Sequence, residues 1–427
     1  AQGKTVVTYN NSFGWQRATE LPDFLPSWEY ATYYNMAMQN MGKQDAYLPE
    51  QIQKYKDGSD PDNYPNVNHL KWLLESGSGF QHQHNVSIQG GNATTSYNLS
   101  IGYRNQEGLT AKTSNERMTA LFSLRSQLSK SLTLSLNINA YNNKYNAPNG
   151  EPTSIDGIIG YAVREAPIYA GQKSDGSFGY QDNYSPEAWL ASESFVENVS
   201  RNINASGQLR WDTPIKGLSL TGKAGVTYWT KYDKTYRAET YFDENKTVGP
   251  STLNIWTSNN TNTILEALVN YEKTFGSHDL KVLAGTSVEQ TSNKGLEGYR
   301  NTFPNNALYQ LGAGDASTAT NSSSLEEYAL VSFFGRVNYA FKDKYLLEAN
   351  LRYDGSSRFA KDNRWGIFPS VSAGWRISEE NFWKNTRAGE VVNNLKLRAS
   401  YGVLGNQNIG VYPYQQTYDL DHNYPLG

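Results

Sequence analysis

Apolar and polar side chains alternate with a period of two through stretches of about a dozen residues, the spacing of an extended strand with two distinct faces. Leu132, Leu134, Leu136, Ile138 and Ala140 fall on one face, and Thr133, Ser135, Asn137, Asn139 and Tyr141 on the other. Tyr97, Leu99, Ile101 and Tyr103 oppose Ser96, Asn98, Ser100 and Gly102, and the same split recurs in 202–211, 218–228, 265–271, 280–288, 347–353, 367–377 and 395–403. The pattern predicts about thirteen strands. Their connectors alternate in length: tight turns fall near 90–93, 129–131, 213–217, 276–279 and 342–344, and long connectors at 14–79, 146–199, 239–261 and 293–325. One end of the sheet is trimmed and the other elaborated. That asymmetry predicts an all-β, transmembrane antiparallel β-barrel with short periplasmic turns and long extracellular loops.

A β-sandwich also alternates, with one face in its core and one in water. Strands of about a dozen residues exceed the usual five or six or so of globular sheets. Aromatic residues also gather near the strand ends: Tyr141 and Tyr145, Tyr228, Trp229 and Tyr232, Tyr353 and Phe359, Trp365 and Phe368. These are expected in membrane-interface girdles. Arg125, Gln127, Arg210, Lys223, Glu266, Arg352, Arg376, Lys396 and Arg398 fall on the polar face. They are costly in a dry core and suit a wet lumen.

Composition narrows the function. With 38 Lys+Arg against 41 Asp+Glu there is no basic excess to track a phosphate backbone, so nucleic acid is not an expected partner. Cysteine is absent, which removes disulfides, thiolate nucleophiles and Cys-based zinc sites. No apolar run approaches the roughly 18 residues of a membrane helix. The five histidines, His69, His82, His84, His278 and His422, form no H-E-x-x-H pattern, and no G-x-S-x-G elbow is present. No enzyme, cofactor or metal site is expected. Asp57, Asp60 and Asp62 offer calcium-type oxygens, but Pro61 favours a simple turn; His82 and His84 share a strand face, read as lumen or rim polarity.

From Phe333 onward the residues become specific. Asp354-Gly355-Ser356-Ser357-Arg358-Phe359, Asn363-Arg364-Trp365-Gly366 with Phe368-Pro369-Ser370, Gly374-Trp375-Arg376, and Leu397-Arg398-Ala399-Ser400-Tyr401-Gly402 with Gly405-Asn406-Gln407 closely resemble the barrel of the SusC/RagA family, TonB-dependent outer-membrane transporters. The N-terminal part is similar through Leu21-Pro22-Asp23, Glu29-Tyr30-Ala31, Asp57-Gly58-Ser59-Asp60-Pro61-Asp62 and Tyr64-Pro65-Asn66, whereas 146–330 matches by rhythm. The resemblance implies active import of large nutrients, glycans or oligopeptides, across the outer membrane. It also implies a SusD-like surface lipoprotein lidding the mouth, a TonB complex energising a plug, and contact with outer-membrane lipid. Residues 1–427 are then expected to be a partial barrel, about thirteen of roughly 22 strands, lacking the N-terminal plug, the TonB box and the closing C-terminal strands. A passive porin, an adhesin barrel and a soluble glycan-binding β-protein are the alternatives.

Binding residues concentrate on loops held by a rigid scaffold. Connector 14–79 carries Trp15, Trp28 and Trp72, and connector 146–199 carries Tyr184 and Trp189; these five are the expected substrate-stacking residues. Loops 14–79, 146–199 and 293–325 are the expected docking surface. Residues 26–42 predict a short helix with Tyr30, Tyr33, Tyr34, Ala37 and Met41 on a packed face.

Overall fold

The computed structural model describes residues 3–150 and 155–416, so His422 and the terminal HNYPLG lie outside the described residues. Thirteen strands form one antiparallel sheet, each paired with its neighbour in chain order. They are β1 (Gly3–Trp15), β2 (Phe80–Gly91), β3 (Thr95–Glu107), β4 (Ser114–Ser129), β5 (Leu132–Pro148), β6 (Phe195–Asp212), β7 (Leu218–Arg237), β10 (Thr252–Phe275), β11 (His278–Asn301), β12 (Thr320–Phe341), β13 (Tyr345–Ser356), β14 (Trp365–Arg376) and β15 (Lys396–Gly402). A separate hairpin, β8 (Thr240–Asp243) with β9 (Lys246–Val248), sits in the connector between β7 and β10. β1 and β15 are the open edges, so the described sheet is an arc of a barrel.

The side chains sort as the alternation requires. One outward row of register partners, Val7, Ile88, Leu99, Phe122, Ile138, Ala205 and Val226, is wholly apolar across seven strands. Continued, it meets Thr263 and Gln290. Barrel strands tilt, so a row perpendicular to them climbs out of the apolar band. On the later strands the band is carried nearer the short turns, by Tyr271, Val282, Val337, Ala349, Val371 and Tyr401. Leu265 and Ile367 are each 61% exposed on this face, which no sandwich core permits. Level with the apolar band the charges lie on the inward face, among them the register pair Lys223 and Glu266, whose Nζ and Oε2 lie 3.0 Å apart.

All five predicted tight turns are present, but the long connectors are shorter than expected. Those expected at 239–261 and 293–325 occupy only 238–251 and 302–319, because β10 and β11 each run for 24 residues. Beyond the apolar band polar residues occupy both faces, so the run Ser258 to Thr263 carries no alternation while its ladder continues unbroken. The girdle is likewise half of that expected. Tyr228, Tyr232, Tyr353 and Trp365 share the outward face with Leu220, Leu351 and Ile367, whereas Tyr141, Tyr145, Trp229 and Phe368 alternate inward. Strand ends attract aromatics on both faces, and only the outward ones meet the interface. His82 and His84 are also outward, one and two pleats from Val86, and join Phe13, Phe80, Tyr9 and Tyr103 in a ring cluster. Of the two readings, lumen or rim, the outward face excludes the lumen and leaves them at the rim among girdle aromatics.

One connector at the short-turn end is long. Residues 377–395 hold α6 (Asn381–Lys384) and α7 (Arg387–Val391) between β14 and β15. Glu380 ties this segment to the strand ends: Lys344 Nζ donates to it at 2.8 Å, the Tyr345 hydroxyl at 2.7 Å and Trp375 Nε1 at 3.2 Å. Those donors hold its carboxyl down at about 2, with the Lys344 bond the largest cause.

Candidate functional site in the folded loops

The long connectors fold onto one another rather than standing as separate loops. Residues 16–79 supply α1 (Ser27–Asn40), α2 (Pro49–Asp57) and α3 (His69–Leu74), and the connector from β5 to β6 supplies α4 (Ile155–Arg164) and α5 (Pro186–Ala191). α2 begins on Pro49, whose missing N–H is an orphan there in any case, and stops at Gly58 with φ of 63°. α4 places Ile158, Tyr161 and Ala162 at the spacing of one helical face. That face buries against Leu70 and Leu73 of α3, Trp189 of α5, Phe242 of β8 and Val248 of β9. Three connectors thus share one hydrophobic core. Backbone bonds sew them together, Val67 N to Pro167 O at 3.1 Å and Phe178 N to Phe242 O at 2.8 Å. A smaller core of Tyr236, Ala238, Leu253 and Phe303 seats the 302–319 connector beside it.

Within the larger core lies a polar cluster. His69 opens α3, Glu165 follows α4 and continues its buried face one turn beyond Tyr161, and Glu187 sits in the first turn of α5. His69 Nδ1 is 2.7 Å from Glu187 Oε1 and 3.9 Å from Glu165 Oε2, and the three side chains are 1%, 3% and 0% exposed respectively for His69, Glu187 and Glu165. Both Glu165 oxygens, Glu187 Oε2 and His69 Nε2 have no hydrogen-bond partner. Burial, helped by the Glu187 charge, pushes the Glu165 carboxyl up to about 9. Among the described residues this is the one group of three His, Asp or Glu side chains close enough to share an ion. No motif spacing marks it, since His69 and Glu187 are 118 positions apart. The legible trace is a carboxylate on an otherwise apolar helical face, at i+3 from Ala162 and i+4 from Tyr161.

The acidic run does form turns. Asp57 accepts the Ser59 N–H at 3.0 Å, Asp60 accepts from Asn63, and Asp62 receives the Ser174 N–H at 3.0 Å from the other connector. Ser59 also holds the Asp57 carboxyl below its ordinary value.

The five aromatic residues expected to meet substrate are dispersed. Trp15 ends β1 on the outward face, 72% exposed and tilted against the Phe80 ring at 5.2 Å, which is a girdle position. Trp189 is fully buried, its Nε1 donating to Asn183 O at 3.1 Å, so its ring fills the core and cannot stack on a ligand. Tyr184 packs on Tyr161 at 4.2 Å. Trp28 is half-buried and Trp72 is exposed on the loop surface.

The helix predicted over 26–42 is present, but it packs by a different face. Ser27, Ala31 and Asn35 are buried, while Tyr33, Tyr34, Met36 and Met41 are exposed. The anchor is polar: Asn35 accepts the N–H groups of Ala46 and Tyr47 at 2.8 and 2.9 Å and donates to Tyr47 O at 2.7 Å. Three hydrogen bonds on a small face anchor α1 and leave the Tyr33 ring exposed. Behind it Tyr30, Tyr34, Tyr47, Tyr55 and Tyr64 form a ladder of ring contacts at 5.3–6.3 Å. Burial among these neighbours pushes the Tyr47 hydroxyl up to about 12.

Comparisons with known proteins agree with this fold. A family model described as TonB dependent receptor-like, beta-barrel matches residues 156–421, more than half of the chain. The chain belongs to the TonB-dependent receptor β-barrel family. TonB-dependent receptor SusC of Bacteroides thetaiotaomicron is 28% identical over 363 residues, covering 80% of this chain and 35% of SusC. TonB-dependent receptor P26 of Formosa agariphila is 30% identical over 424 residues, covering 96% of this chain and 40% of that receptor. The chain therefore spans well under half the length of these relatives. The structure of the RagAB peptide transporter superposes with a TM-score of 0.76 at 22% identity, over 98% of this chain and 50% of that one. Membership of this family places the arc in the outer membrane, with the apolar face toward lipid, and no helix among the described residues is long and apolar enough to span it.

Proposed function

We propose that this TonB-dependent receptor β-barrel is the wall and mouth of an active importer, not an enzyme. It takes up oligomeric nutrients, glycans or oligopeptides, with a SusD-like lipoprotein seated on its loops. Energy reaches it through TonB and a plug, neither carried by the strands described above. The observation that supports this most is the shared core of connectors 16–79, 149–194 and 238–251. Separate loops would suit a passive pore with a fluctuating rim. A single packed platform offers a partner one rigid surface. The exposed rings of α1, with Met36, Met41, Leu48 and Trp72, are the surface we assign to the lipoprotein and its cargo. Likeness to the RagAB peptide transporter supports the oligopeptide class, and the glycan class rests on the family resemblance alone.

The test is photo-crosslinking from Tyr33 or Met41 compared with a probe at the 130–131 turn, in cells expressing the lipoprotein. Crosslinks are expected from the first two alone, together with TonB-dependent uptake of a labelled oligomer. Crosslinks confined to the turn, or uptake that persists without TonB, refute the assignment.

A further inference from the structure

The buried group of His69, Glu165 and Glu187 is not needed by any part of the import reading. Two carboxylates and an imidazole sealed in an apolar core are costly unless something positive joins them. His69 and Glu187 satisfy one contact between themselves, yet both Glu165 oxygens and Glu187 Oε2 stay without a hydrogen bond. Native cores rarely leave so many polar atoms orphaned at one point. The donor set is also informative. An imidazole nitrogen beside two carboxylates suits zinc-class divalent ions, whereas calcium and magnesium prefer oxygen alone.

We propose that His69, Glu165 and Glu187 bind one zinc-class divalent cation that locks the connector from β1 to β2 onto the connector from β5 to β6. The ion's double charge balances the two carboxylates, with His69 Nδ1 as the nitrogen ligand. Ligands about 2.1 Å from such an ion lie roughly 3.4 Å from one another. The present separations, 2.7 Å and 3.9 Å from His69 Nδ1, bracket that spacing, so small side-chain movements suffice. Because His69 comes from one connector and both glutamates from the other, the ion crosslinks two segments that the chain joins only through the barrel wall. Its role is to fix the platform, whatever the platform binds.

The test uses the protein purified from outer membranes in detergent. Metal content is measured by mass spectrometry after exhaustive desalting, in the wild type and in the double variant Glu165→Gln with Glu187→Gln. About one zinc-class ion per chain is expected in the wild type and roughly tenfold less in the variant. A chelator is expected to speed protease cleavage in 155–194 of the wild type, and added zinc to reverse it. His82→Ala with His84→Ala is expected to leave the content unchanged, which separates the core site from the outward histidine pair. A wild type that holds no ion even after incubation with zinc, and whose loops ignore the chelator, overturns the proposal and leaves a proton shared between the carboxyl groups. Should the double variant misfold, the wild-type content and the chelator response still decide.

Discussion

The barrel wall and the loop platform reach order by opposite routes. In the wall, each strand needs only the next strand in the chain, and the outward side chains of the apolar band, such as Leu265 and Ile367, stay exposed to what surrounds the protein. In the platform, α3, α4, α5 and β8 come from three connectors and bury their apolar faces against one another. The wall is a membrane solution, in which the ladder satisfies the backbone and lipid takes the apolar face. The platform is a water solution, with a closed core and polar residues outside. One chain therefore contains two folding problems, and a change that harms one is expected to spare the other.

The sharpest break of that comparison is Trp189→Ala. Trp189 is fully buried between α4 and β8, its ring 5.9 Å from Phe242. Emptying that volume is expected to cost the platform about 3–5 kcal/mol. Limited proteolysis should then cut within 155–194 while the heat-dependent gel shift of the barrel stays as in the wild type. A barrel that also loses its heat resistance would show that the two regions form one cooperative unit.

Within the wall, the two faces are expected to answer differently. Leu265→Arg places a charge on the outward face and is expected to cost about 2–4 kcal/mol if lipid covers that position at mid-depth. Lys223→Ala, on the inward face, removes a partly exposed ion pair and is expected to change stability by about 0–1 kcal/mol. Denaturant unfolding in detergent measures both. Equal effects would mean that the two faces do not see different solvents.

These expectations also mark what the chain discloses before its structure. Period-two runs place the wall because each strand's environment is set by its own residues and its nearest neighbour, as in Leu132 to Ala140. The tops of β10 and β11 escape that logic: Asn259, Asn260 and Asn262 are polar on both faces, so nothing in their spacing separates ladder from loop. The platform escapes it altogether. Trp189 looks like any loop aromatic until α4 and β8 are brought to it, and His69 looks solitary until Glu187 arrives from a distant connector. The family marks from Asp354 to Gln407 disclose family rather than site, since they shape both ends of β13 to β15, Asp354 to Phe359 at the long-loop end and Gly374 to Arg376 at the short-turn end. Arg358 there lies over the Tyr328 ring at 4.0 Å and donates to Ile409 O.

Asn35→Ala tests whether the platform's outlying helix depends on polar anchoring. The substitution leaves the N–H groups of Ala46 and Tyr47 without their acceptor and is expected to cost about 1–3 kcal/mol, read as faster hydrogen exchange across 27–47. Unchanged exchange would return the credit to the tyrosine ladder.

The smallest effect is expected at the other end of the wall, where Glu380 binds the long 377–395 connector to Lys344, Tyr345 and Trp375. Its carboxyl is held down at about 2 against an ordinary 4.5, so the folded protein binds that proton less readily than the unfolded chain. The stabilisation is therefore present above 4.5 and fades as pH falls toward about 2. Solvent still reaches this part-buried group, which keeps the effect small. Protease sensitivity of 377–395, followed down that window, is expected to rise in the wild type before the barrel itself loosens. In Glu380→Gln the segment should be more sensitive at neutral pH and nearly independent of acid across the same range. A wild type whose connector loosens only together with the strands would show that the segment is held by β14 and β15, and that this one carboxylate has no independent hold on it.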